Sequence, residues 1–129
     1  MFDRFFLKLR INGLRNPGIY GNLLLFDFLI HHEQKVELVQ GYLTVGKETC
    51  WHIWVETETG DTLDIIKASV ETEEGVNFEY TKDIPENFES DEEITKQYEL
   101  YTDDKKEFWK KAPPKIKNFR AKMFRKDFV

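Results

Sequence analysis

The chain has 129 residues and a net charge of −5, with 40% apolar, 15% aromatic and 33% charged residues. That length suggests one domain, and seven Gly and four Pro against eleven Phe, five Tyr and three Trp exclude a collagen-like or low-complexity chain. A single cysteine, Cys50, excludes an internal disulfide framework and a multi-thiolate zinc site, and no apolar run approaches the ~20 residues of a membrane span.

Met1 to Ile11 lacks the apolar region and small-residue cleavage site of a secretory signal, so a soluble chain in the reducing cytoplasm, with no membrane partner, is the expectation. Phe2, Phe5, Phe6, Leu7, Leu9 and Ile11 fit a short buried helix or a strand. After Asn12-Gly13 and Asn16-Pro17-Gly18, the run Asn22 to His32 is apolar at 23–26 and 28–30, nearly all round. Such a helix is central and buried on most sides. From Lys35 the texture turns to strand. Val36, Leu38, Val39, Tyr42, Leu43 and Val45 form one run and Cys50 to Val55 the next, with Lys47 and Glu48 at the turn. Further strands are expected over Thr62 to Ala68 and over Val76 to Tyr80.

Beyond Pro85 the pattern is helical and polar. Ser90-Asp91-Glu92-Glu93 has capping-box spacing, with Ser90 as the cap of a helix running to about Tyr101. Thr102 to Lys111 reads as a second helix stopped by Ala112-Pro113-Pro114, and Ile116, Phe119, Met123 and Phe124 mark one face of a last amphipathic helix. This order predicts an α+β fold over residues 1–129: a buried N-terminal helix on a mainly antiparallel sheet, followed by C-terminal helices.

Charge divides sharply along the chain. Residues 1–104 carry 9 Lys/Arg against 22 Asp/Glu, net −13, whereas 105–129 carry 10 Lys/Arg against Glu107 and Asp127, net +8. The basic segment either docks on its own acidic body, which is covalently attached and always present, or reaches a separate polyanion such as nucleic acid. Phe108, Trp109, Phe119, Phe124 and Phe128 among its cations give it a stacking composition, though the same spacing also suits core contacts.

The chemistry-bearing stretch is Cys50-Trp51-His52-Ile53-Trp54-Val55-Glu56. On a strand Cys50, His52, Trp54 and Glu56 share one face. A short turn at Thr59-Gly60 brings Asp64 alongside His52, and an imidazole oriented by a carboxylate is the base half of a nucleophilic triad. His31-His32 at a helix end read as groups facing the helix C-terminus rather than metal ligands. Glu56, Glu58, Glu71, Glu73 and Glu74 read as a solvated acidic strip. No EF-hand, P-loop, GxGxxG or HExxH pattern is present, so no cofactor or metal is expected.

A Gly-x-x ahead of a buried helix, a strand with Gly41-Tyr42-Leu43, then His52-x-Trp54-x-Glu56 and an Asp after a Gly resemble the transglutaminase-like branch of the papain-like cysteine-protease fold. The resemblance covers residues 16–66, about 40% of the chain. It implies a cysteine nucleophile at the start of the central helix, a histidine base in the H-x-W strand and an orienting aspartate on the next strand. His52 and Asp64 fall at the base and orienter positions. Where one variant of the family has Cys-Tyr-x-Asn, this chain has Ile19-Tyr20-Gly21-Asn22. Tyr20 and Asn22 match, but neither Ile19 nor Tyr20 can supply the thiolate that a helix terminus stabilises.

The expectation is therefore a catalytically degenerate member of that family, a pseudoenzyme that keeps His52–Asp64 beside a cleft containing Ile19, Tyr20, Asn22 and Trp54 and binds a peptide or protein partner. One alternative is an active cysteine hydrolase or acyltransferase using Cys50 with His52. Two residues apart on one strand face, their Cα atoms stand about 6.5–7 Å apart, so that pair needs a bulge to meet. A second alternative is a nucleic-acid-associated protein using 105–129.

Overall fold

The computed structural model describes residues 1–14, 17–70, 77–86, 88 and 91–128. Its elements in chain order are α1 (Phe2–Ile11), α2 (Ile19–His31), β1 (Val36–Val45), β2 (Glu48–Thr57), β3 (Thr62–Leu63), α3 (Ile65–Val70), β4 (Phe78–Thr81), α4 (Glu92–Asp103), α5 (Lys105–Lys110) and α6 (Pro114–Met123). The strands form one antiparallel sheet in the order β3-β2-β1-β4. The coarse α+β arrangement with a mainly antiparallel sheet is thus what the structure has.

The ambiguous opening is a helix, because Phe5 and Leu9, one turn apart, are both buried while Leu7 and Ile11 face outward. The all-round apolar character of α2 has its expected cause. It lies between the sheet, through Ile53 and Val55, and the terminal helices, and Leu23, Leu24, Leu25 and Phe28 are fully buried. β1 and β2 pair along their whole length, from Val36 opposite Thr57 to Val45 opposite Glu48. The turn falls at Gly46-Lys47 rather than Lys47-Glu48, since Gly46 adopts φ +62 and Glu48 is already paired.

Two expected boundaries are corrected. The strand over Thr62 to Ala68 is only two residues long, and Ile65 to Val70 is helix. Asp64 makes the difference: its Oδ1 accepts from the Ile66 N–H and its carbonyl from the Ala68 N–H, so it caps a helix instead of continuing a strand. The cap of α4 is Asp91, whose carboxylate accepts from the N–H groups of Glu93 and Ile94, and not Ser90, which lies outside the described residues. Val76, at the start of the last expected strand, and Glu71, Glu73 and Glu74 of the acidic strip also lie outside them.

The basic segment packs on its own body, but not mainly by surface charge. Phe108, Trp109, Ile116, Phe119, Met123 and Phe128 are buried against α1 and α2. At the centre stands Asp27 of α2, itself buried. Tyr101 donates to it at 2.7 Å and the Trp109 indole at 3.0 Å, while Lys105 and Arg120 pair with it at 3.1 and 3.2 Å. One carboxylate from the body thus ties down α4, α5 and α6.

No helix of the described residues is long and apolar enough to cross a membrane.

A candidate ligand cleft at the start of the central helix

The short β3 shapes the site. It pairs only with Val55 and Glu56, so among the described residues no strand covers the edge of β2 from Trp54 back towards Cys50. Asp64 crosses beside that edge as the chain leaves β3 for α3. The head of α2 meets the same edge through Asn22, whose Nδ2 donates to the Ile53 carbonyl and to Asp64 Oδ1, both at 2.8 Å. Asn22 Oδ1 accepts from the Ile65 N–H at 2.9 Å. A buried amide therefore joins α2, β2 and α3, with three of its four hydrogen bonds made inside the protein.

His52 Nε2 lies 2.8 Å from Asp64 Oδ2, and Tyr80 from β4 donates its hydroxyl to the same oxygen at 2.8 Å. With Asn22 and the Ile66 N–H on Oδ1, both carboxylate oxygens of Asp64 hold two partners each. Burial pushes the Asp64 pKa up. The hydrogen bond and charge of His52, with the hydrogen bonds of Asn22 and Tyr80, outweigh that and hold it below the ordinary carboxylate value. An ionised Asp64 accepts, so Nε2 is the nitrogen that carries the proton in the neutral ring, with the lone pair on Nδ1, whereas in the imidazolium both nitrogens donate.

A cavity of about 280 Å³ opens beside this pair, lined by Ile19 at the start of α2, by Asn22, Cys50, Trp51 and His52, and by Ile66 and Ile94. Ile19, Asn22, Cys50 and His52 are thus brought to one place. Tyr20 and Trp54 are not among its lining residues. Tyr20 turns towards the terminal helices, 5.6 Å from the Phe108 ring and 6.3 Å from that of Trp109, and burial raises its phenol pKa. Trp54 is buried behind the site against Tyr80 and His52, its indole donating to Glu56. The tryptophan on the cavity is Trp51.

Cys50 contacts the Leu43 carbonyl at 3.8 Å. Although the residue as a whole is exposed, desolvation of its thiol, followed by the negative charges of Asp64 and Glu48, raises the thiol pKa, the reverse of the surroundings that ionise a nucleophile. Among the described residues no group of three or more His, Cys, Asp or Glu side chains is placed to hold a metal ion.

Sequence reasoning missed Tyr80, which reaches Asp64 only because β4 pairs with β1, setting Tyr80 opposite Leu43, itself opposite Cys50. Nothing local in Phe78-Glu79-Tyr80 signals that. Ile66 and Ile94 were missed because each belongs to a helix whose placement is tertiary.

No protein-family model, no curated protein and no solved structure matches this chain.

Proposed function

We propose that this chain is a catalytically degenerate transglutaminase-like protein whose cleft binds a peptide segment of a partner without cleaving it. The observation that carries the reading is that Ile19, at the start of α2, lines the same cavity as a histidine held by an aspartate. An oriented imidazole base serves a nucleophile, and the position facing it is a hydrocarbon side chain that forms no covalent intermediate. What the cleft retains is shape and a few polar groups, the His52 ring among them, which is a binding site's equipment.

Two observations weigh against the alternative readings. The pKa of the Cys50 thiol is raised rather than lowered, which disfavours a hydrolase or acyltransferase built on it. The aromatics Phe108, Trp109, Phe119 and Phe128 are buried, so the basic segment does not offer them for stacking on bases.

Restoring a thiol tests the reading. In a Cys50→Ser background, Ile19→Cys is expected to be alkylated by iodoacetamide at pH 6 at least tenfold faster than Cys50 of the natural chain, because a thiol paired with imidazole at a helix start ionises well below ~8.5. Adding His52→Ala is expected to abolish the gain. An Ile19→Cys variant no faster than Cys50, or a natural chain whose Cys50 already reacts rapidly at pH 6, would refute the proposal.

A further inference from the structure

The cleft's polar groups narrow what can enter it. Asp64 has two partners on each oxygen, and Asn22 has spent both amide hydrogens on Ile53 and Asp64 and one lone pair of its carbonyl on Ile65. Asp64 and the amide hydrogens of Asn22 meet a ligand only by abandoning a buried partner, which costs the desolvation of that partner, and the Asn22 carbonyl keeps one lone pair on a residue that is 2% exposed. The nitrogen left over is Nδ1 of His52, an acceptor while Nε2 carries the proton, and His52 makes no other hydrogen bond among the described residues. The remaining walls are mostly apolar, with Ile19, Leu43, Val45, Ile53, Ile66 and Ile94 beside the Cys50 thiol and the Trp51 indole.

Charge is disfavoured on both sides. No lysine or arginine lines the cavity among the described residues, so an anionic group would enter unpaired. A cationic group would find the hydrogen-bonding capacity of Asp64 already committed, and no carboxylate side chain is among the residues lining the cavity. At about 280 Å³ the cavity is at the small end of ligand sites, on the scale of one branched or aromatic side chain with its amide group rather than a nucleotide or a sugar chain. Alongside runs the edge of β2 that no strand covers among the described residues. The Ile53 carbonyl points off that edge to Asn22, and antiparallel alternation turns the N–H and C=O of Trp51, two residues back, the same way. Those groups suit the main chain of an added strand.

Resting on the reading of the cleft as a binding site, we propose that it takes one uncharged apolar residue of an extended peptide, its side chain in the cavity walled by Ile19, Ile66 and Ile94 and a main-chain N–H donating to His52 Nδ1. Specificity then comes from exclusion: leucine, isoleucine, methionine or phenylalanine fits, and aspartate or lysine at the same position does not.

The test is an NMR titration of the full chain, ¹⁵N-labelled, with terminally blocked Ala-Ala-Xaa-Ala peptides. With Xaa leucine, saturable shifts are expected at the amides of Ile19, Trp51, His52 and Ile66. With Xaa aspartate or lysine, affinity is expected to fall at least tenfold. Ile66→Phe, which fills the cavity, and His52→Phe, which removes the acceptor, are each expected to abolish the response while the remaining spectrum reports an intact fold. N-isopentylacetamide, carrying the same amide and branched chain without a peptide backbone, is expected to bind at least tenfold more weakly than the leucine peptide. Equal binding of the leucine, aspartate and lysine peptides overturns the proposal, as does no shift with leucine, and an isopentylacetamide as tight as the peptide removes the strand-addition part. An Ile19→Cys thiol that is activated while no peptide binds discards this ligand class and leaves the degenerate-site reading standing. A leucine peptide that binds while that thiol stays inert does the opposite.

Discussion

Asn22 and Asp64 each hold three separate parts of the chain, and the site depends on both. Replacing Asn22 with alanine leaves the Ile53 carbonyl and the Ile65 N–H buried without partners and strips one donor from Asp64. At ~1–3 kcal/mol for each orphaned group, the expected loss is about 3 kcal/mol by urea unfolding; a loss below about 1 kcal/mol would mean that water or a neighbour replaces the amide. Asp64 gives stability a pH signature. Its folded pKa is depressed, so its contribution is fully present above the unfolded carboxylate value of ~3.9 and is lost as pH falls through the lower folded value. Asp64→Asn is therefore expected to be less stable at pH 7 and to lose less than the natural chain on going from pH 5 to pH 2. Parallel acid limbs would contradict that assignment. The His52–Asp64 meeting was legible because strand alternation and one short turn at Thr59-Gly60 are local facts. The saturation of Asp64 was not, since Tyr80 arrives by a pairing between strands far apart in the chain.

At the scale of elements, close approach explains Gly41. A Cβ there would collide with the Thr81 carbonyl and come within 2.6 Å of the Trp54 ring, so the glycine lets β4 and Trp54 both close on β1. Gly41→Ala is expected to cost about 2 kcal/mol, the range for overpacking, and to alter Trp54 fluorescence; an unchanged melting temperature would show that the sheet accommodates a methyl group. Asp91→Ala, which removes the cap of α4, is expected to cost about 1 kcal/mol and to loosen Ile94 over the cleft. A full-strength cleft response in that variant would separate α4 from ligand binding. The hairpin β1–β2 and the last helix were readable from periodicity and from Pro113-Pro114. α3 was not, because Ile65, Ile66, Ala68 and Val70 suit either period and only the capping role of Asp64 decides between them.

For the whole molecule, the division of charge between residues 1–104 and 105–129 was plain in the sequence, but its resolution was not. The segments are joined by aromatic burial around Asp27, whose partners Tyr101, Lys105, Trp109 and Arg120 lie 74 to 93 residues away. Burial, reinforced by the neighbouring charge of Asp27, raises the Tyr101 pKa, so the phenol remains a donor to that carboxylate. Asp27→Ala leaves Arg120 and the Trp109 indole facing a void, and a loss of about 3–5 kcal/mol with faster proteolysis within 105–129 is expected. Unchanged protease resistance would mean that the apolar contacts alone hold the segment. Among the described residues, the docked segment does not line the cleft, where Asp64 fixes the His52 ring through Nε2. Long-range ¹H–¹⁵N correlation of the imidazole measures this directly at neutral pH. In the neutral ring of the natural chain, Nε2 is expected to be protonated and Nδ1 to hold the lone pair, with that bias lost in Asp64→Asn; a neutral ring protonated on Nδ1, or a tautomer mixture indifferent to Asp64, would rule this out.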